Sequence, residues 1–166
     1  SILPNVIIVK DYLGFAFIPE FNYNGVGDLT VGWGYQIKTA EASSFSVTGT
    51  YMIPEENSVS LSAGWNMIGY LRIQPAPADM VLAELNDAGN LVIAKNYLGA
   101  AFLPEFNFNS IGDLESGQGY KLKTNESGIL NFLSNSNSYR LSPIKMTNHL
   151  LREFWKNRCF PKKKPT

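Results

Sequence analysis

DYLGFAFIPEFNYNGVGDLTVGWGYQIKT, Asp11 to Thr39, returns 85 residues later as NYLGAAFLPEFNFNSIGDLESGQGYKLKT, Asn96 to Thr124. From Val6/Leu91 to Thr39/Thr124, 20 of 34 aligned positions are identical and no gap is needed. Self-similarity of this strength marks two copies of one structural unit. It also constrains function, because a site placed in one repeat needs a counterpart in the other or a reason for lacking one.

The second repeat reads as the complete one. Ser60 to Leu71 alternates like a strand, and Pro75 and Pro77 break it. Asp79 to Leu85 carries Met80, Val81 and Leu85 at helical spacing, and Asp87-Ala88-Gly89 stops it. Leu91 to Lys95 and Ala101 to Phe106 read as strands joined through a turn at Gly99. Ser110 to Ser116 reads as a short helical turn with Ile111 and Leu114 inward. Gly119 to Thr124 and Ile129 to Leu133 close the unit as a strand pair around the turn Asn125-Glu126-Ser127-Gly128.

The first repeat has counterparts for everything from Leu91 onward, with Phe45 and Val47 falling opposite Leu130 and Phe132. It has none for GWNMIG, Gly64 to Gly69, or for the helix that follows. One explanation is a chain cut from a longer array. The other is closure by a segment elsewhere in the chain, for which Asn148 to Phe160 is the candidate. That stretch places Leu150, Leu151, Phe154, Trp155 and Cys159 on one helical face. The expected fold is therefore α+β and mainly β: two internally repeated β-rich halves, one internal helix and a C-terminal amphipathic helix. The expected divisions are a partial first repeat over 1–55, a complete second repeat over 56–140, and a basic helix and tail over 141–166. Closure would make all three one pseudo-twofold domain. Ser134 to Ser138 is a polar loop or linker.

Composition bounds the function. At 45% hydrophobic and 17% charged residues the chain is an ordinary globular mixture, and no apolar run is long enough to cross a bilayer. Ser1 in place of Met predicts a processed or engineered start. A single cysteine, Cys159, excludes an internal disulfide framework and a cysteine-only metal cage. Net charge is zero, but the first 139 residues hold 6 Lys/Arg against 13 Asp/Glu, while the last 27 hold 8 against 1. The basic tail lacks a nucleic-acid fold signature and interleaved aromatics, so no nucleic-acid partner is expected.

GWNMIG at Gly64 to Gly69, the G-x-GY-x-x-K run at Gly117 to Lys123, and the KxYLG…PEFNFN core between them resemble repeat modules of large secreted or surface proteins from Bacteroidetes-type bacteria. The first repeat matches the later part only, with Gly32-Trp33-Gly34-Tyr35-Gln36-Ile37-Lys38. The resemblance covers 55–140 well and 6–50 in part. It implies an extracellular or cell-surface accessory module of a bacterium, and it brings no catalytic residues.

No other motif carries chemistry of its own. G-x-G-Y at Gly32 and Gly117 is not followed by the residues of a phosphate loop, and its glycines suit a bulge or close strand packing. The Asn22–Asp28 and Asn107–Asp113 loops offer oxygens but no EF-hand spacing, so turn geometry and capping explain them. Glu20/Glu105 and Asp28/Asp113 could form an acid/base pair only if the fold brought them together, and repetition already explains their recurrence. The lone His149 has no partner motif. No cofactor, metal or catalytic residue is expected.

Aromatics are the remaining clue. Exposed rings beside amides suit a sugar-binding surface, and equally a protein interface. The candidate binding residues are Phe15, Trp33, Tyr35, Tyr23, Asn22 and Asn24, with Trp33 and Phe15 marking where the repeats diverge (Gln118 and Ala100 in the second). The expected function is a non-enzymatic structural or adhesion-type module with a polysaccharide or protein partner. Carbohydrate binding around Trp33 is the first alternative, and a hydrolase built on the repeated carboxylates the second.

Overall fold

The β-branched run VIIVK forms strand β1 (Val6–Lys10), and its counterpart LVIAK forms β8 (Leu91–Lys95). The computed structural model describes residues 3–44, 49 and 52–135. In chain order the other elements are β2 (Ala16–Ile18), β3 (Tyr23–Asn24), β4 (Gln36–Thr39), β5 (Val59–Leu61), β6 (Gly64–Gly69), β7 (Ala76–Pro77), α1 (Ala78–Val81) and α2 (Ala83–Asp87). After β8 come β9 (Ala101–Leu103), β10 (Phe108–Asn109), β11 (Asp113–Leu114), β12 (Gly119–Thr124) and β13 (Gly128–Leu130). The fold is thus mainly β with short helices.

A four-stranded sheet runs β3-β2-β1-β4 and a five-stranded sheet runs β10-β9-β8-β12-β6, all pairs antiparallel. Two short ladders, β11-β7 and β13-β5, complete the pairing. Residues 85 apart hold matching places. Val9 faces Phe17 and Phe17 faces Asn24; Ala94 faces Phe102 and Phe102 faces Asn109. The β1–β4 ladder slips between Val6 and Ile8, and the β8–β12 ladder slips at the equivalent step between Leu91 and Ile93. The hairpin turns match as well. Asp11 Oδ1 accepts from the Phe15 N–H at 2.9 Å, and Asn96 Oδ1 from the Ala100 N–H at 2.9 Å. Pro19 and Pro104 open 3-10 turns that end on Asn22 and Asn107, both left-handed at φ 48°, a conformation Asn tolerates better than most residues.

The core lies under the second sheet. Ala94, Phe102, Tyr120 and Leu122 pack with Val81, Leu82 and Leu85 of the helical segment, with Leu114, and with Val59, Leu61 and Leu130. Burial of these groups at roughly 25 cal/mol per Å² of apolar surface is the main favourable term. The described residues belong to one compact unit.

Ser60–Leu71 is not one strand. Buried Asn66 accepts from the Ser62 N–H at 2.9 Å and donates to Ser62 O at 2.8 Å, closing a turn that separates β5 from β6. Ser110–Ser116 is not helical. Asn109 Oδ1 accepts from the Ile111 and Gly112 N–H groups, and the chain then extends into β11 against β7. The internal helix is two pieces on either side of Leu82. Phe106 ends a 3-10 turn rather than a strand, and β13 stops at Leu130. The expected helix over 148–160 and the counterpart positions Phe45 and Val47 lie outside the described residues.

Candidate functional site

The G-x-G-Y segment of the first repeat fixes the geometry. Its strand-like part crosses the open edge of β6, with Trp33 bridged antiparallel to Ile68. Gly34 N–H donates to Met67 O at 3.0 Å, and Gly69 N–H donates to Gly32 O at 2.9 Å. The approach is close enough to require glycine. A Cβ on Gly34 would lie 2.5 Å from Ile68 O, and one on Gly69 would lie 3.0 Å from Trp33 O. β6 therefore contacts both repeats, β12 along one edge and residues 32–34 along the other.

Beside that crossing the first sheet leaves a cleft of about 540 Å³. One wall is Val9, Phe17 and Ile37 of the first sheet, with Val26, Leu29 and Tyr35 from its loops. The other wall is backbone-rich, from Gly69–Leu71 and Gly117–Gly119. Among the described residues no charged side chain lines it, and the amide side chains that do are Asn24 and Gln118.

The apolar wall matches the buried core of the second repeat position by position. Val9, Phe17, Leu29, Tyr35 and Ile37 correspond to Ala94, Phe102, Leu114, Tyr120 and Leu122, all buried. In the first repeat Ile37 is 44% exposed and Leu29 is 71% exposed, and Val9, Phe17 and Tyr35 are only half-buried. The second repeat's face packs with α1, α2 and the strands around them; the sequence holds GWNMIG once, and among the described residues there is one such helical segment.

The candidate residues separate into groups. Trp33, Tyr35 and Asn24 line the cleft; Phe15, Tyr23 and Asn22 do not. The sequence reading placed Trp33 at the surface, but its ring is half-buried, packs on Tyr12 at 4.4 Å and 48°, and rests against the core. Tyr35 Oη accepts from the Thr30 N–H at 2.9 Å, as Tyr120 Oη does from the Glu115 N–H at 2.8 Å. Burial pushes the Tyr120 hydroxyl pKa up, against the lowering effect of that hydrogen bond. Asn24 Oδ1 accepts from the Gly27 N–H at 2.9 Å, so this amide is engaged in its own loop. Phe15 and Tyr23 are exposed, Phe15 at the β1–β2 hairpin and Tyr23 with its ring over Gly25.

Glu20, Asp28, Glu105 and Asp113 are exposed and none lines the cleft. Among the described residues, no three His, Cys, Asp or Glu side chains gather to hold a metal ion. No described helix is long and apolar enough to cross a membrane.

Sequence reasoning missed two residues. Trp65 is 47% exposed, faces Lys123 across β12, and carries the Lys95 ammonium 5.8 Å from its ring centroid. Strand alternation around buried Asn66 was the available signal. Arg72 is buried, donates from Nη1 to Tyr70 Oη at 3.3 Å, and leaves Nε unsatisfied among the described residues. Its position after an apolar strand gave no warning.

No known protein family, curated protein or solved structure matches the chain.

Proposed function

We propose that the chain is a non-enzymatic structural or adhesion-type accessory module of a secreted or cell-surface bacterial protein, and that it works through the apolar cleft of its first sheet. The observation that carries this reading is the exposure of Leu29 and Ile37 where Leu114 and Leu122 are buried. A face of core composition that the described residues leave uncovered serves as an interaction surface, since isolated domains rarely leave one open without use. The described lining is apolar side chains, backbone and two amides, the makeup of a contact surface and not of an acid/base pair. The resemblance to surface-protein repeats supports the location.

Sugar binding around Trp33 is the weaker reading, because its half-buried ring, packed at a tilt against Tyr12 and resting on the core, offers little free flat surface. The test is binding of the apolar dye anilinonaphthalene sulfonate to the folded chain. Dye fluorescence that Ile37→Lys abolishes supports the cleft as the working surface. A dark, unbound dye overturns it, and glycan-array binding lost in Trp33→Ala would put the sugar reading in its place.

A further inference from the structure

We infer that the cleft accepts a strand-turn-helix segment of the pattern of residues 59–87, supplied by a polypeptide outside these 166 residues. This inference rests on the cleft being an interaction surface, as proposed above, and names its occupant.

The second repeat shows what such a face takes. There β6 pairs with β12 through Thr124–Gly64, Lys123–Trp65, Leu122–Asn66 and Lys121–Met67. Val81, Leu82 and Leu85 share one buried core with Ala94, Phe102 and Leu122. The first repeat presents the same positions in the same register. Among the described residues β4 ends its sheet, so Gln36–Thr39 offers an edge corresponding to Lys121–Thr124. Val9, Phe17 and Ile37 offer the face corresponding to Ala94, Phe102 and Leu122.

Strand addition supplies backbone hydrogen bonds, and the pockets of the face supply selectivity for alternate side chains. The helical segment supplies the apolar cover. The GWNMIG pattern occurs once in the chain, and that occurrence already serves the second repeat. A second molecule of the chain has its own GWNMIG segment engaged in the same way, so it cannot donate one without opening its own core. By sequence, Asn148–Phe160 carries an apolar helical face but no GWNMIG strand, so the full pattern fits a free segment on another polypeptide.

The experiment adds a synthetic peptide of residues 58–89 to the full chain. Binding is followed by fluorescence anisotropy, and backbone protection by hydrogen exchange. Saturable binding is expected, with new protection over Gln36–Thr39 and at least a tenfold loss of affinity in both Ile37→Lys and Leu29→Asp. Leu29 and Ile37 are exposed, so both variants should fold, which circular dichroism checks. Binding unchanged by the two substitutions overturns the inference, because the peptide then exchanges with the second repeat. No peptide binding while the dye still binds overturns the occupant but leaves the interaction surface standing. Neither peptide nor dye binding overturns both. A stable dimer of the chain that protects Ile37 also overturns it, by making a second molecule the occupant. Dye and peptide binding that appear only after residues 141–166 are deleted overturn it too, by making the chain's own tail the occupant.

Discussion

Leu29 and Leu114 each follow a Gly-Asp pair at matching positions of the two repeats, yet Leu114 is fully buried and Leu29 is 71% exposed. The same local sequence meets a packed core in one place and solvent in the other. Leu114→Ala should therefore cost about 2–5 kcal/mol through lost transfer energy and the cavity left behind. Leu29→Ala should cost about 0.5 kcal/mol or less, as surface changes do. Denaturant unfolding of the two variants checks this, and equal losses would mean that Leu29 is covered in solution.

The paired tyrosines give a polar version of the same comparison. Tyr120→Phe leaves the Glu115 N–H without its acceptor in a part-buried place and should cost about 1–2 kcal/mol. Tyr35→Phe frees the Thr30 N–H at an exposed place, where water replaces the hydroxyl, and should cost less. The pH dependence follows from the raised Tyr120 pKa. Folded Tyr120 holds its proton more tightly than the unfolded chain. Its contribution is complete below the ordinary tyrosine value of about 10 and is lost as pH rises through the higher folded value. Thermal melts across alkaline pH should fall more steeply for the wild type than for Tyr120→Phe.

Gly34 tests the crossing of the two repeats. A Cβ there would meet Ile68 O at 2.5 Å, while one on Gly119 would sit 3.6 Å from the same oxygen. Gly34→Ala should cost about 1–3 kcal/mol, the range of overpacking, and Gly119→Ala clearly less. Hydrogen exchange at Gly34 and Gly69 should quicken in the first variant alone.

Glu55 sets an acid-side prediction. Its carboxylate is held below the ordinary value of 4.5 by its own backbone N–H, then by the Ser134 hydroxyl and, more weakly, by the charge of Arg72. A lowered folded pKa contributes stability above the ordinary value, lost as pH falls through the folded one. The side chain is fully exposed, so the effect is small. Glu55→Gln should flatten the decline of melting temperature below pH 4.5; an unchanged decline would assign acid sensitivity to other carboxylates.

Much of the mainly β character was legible in the residues. Leu91–Lys95 and Gly119–Thr124 announce themselves by β-branched content and alternation, and both fall where strands lie. Ser110–Ser116 misled because the spacing of Ile111 and Leu114 imitates a helical turn, while the Asn109 side chain diverts the backbone before a helix can begin. Asn66 hid the break between β5 and β6 in the same way, through a side-chain hydrogen bond four residues back. For the cleft, the missing counterpart of GWNMIG was the readable signal. Close packing at the G-x-G-Y glycines was legible too, but not that Gly34 would meet Ile68 of β6, because a long-range backbone partner leaves no mark in hydrophobic periodicity. Trp33 drew attention as the point where the repeats differ, but its ring faces Tyr12 and the core, a pairing set by the crossing at Ile68.

The place of β6 also bears on how the chain acquires its shape during synthesis. Its long ladder joins Gly64–Gly69 to residues some 55 positions later, and its other edge reaches back 35 positions to Trp33. Pairings of such span carry a large loop-closure cost and slow folding. The first sheet can form early from neighbouring hairpins, yet residues 32–34 have no edge to settle on until β6 emerges. β6 in turn has no ladder partner until Gly119–Thr124 has left the ribosome. A nascent chain released before that point would hold two half-built sheets and a GWNMIG strand paired only to residues 32–34, the kind of species that chaperones exist to shield.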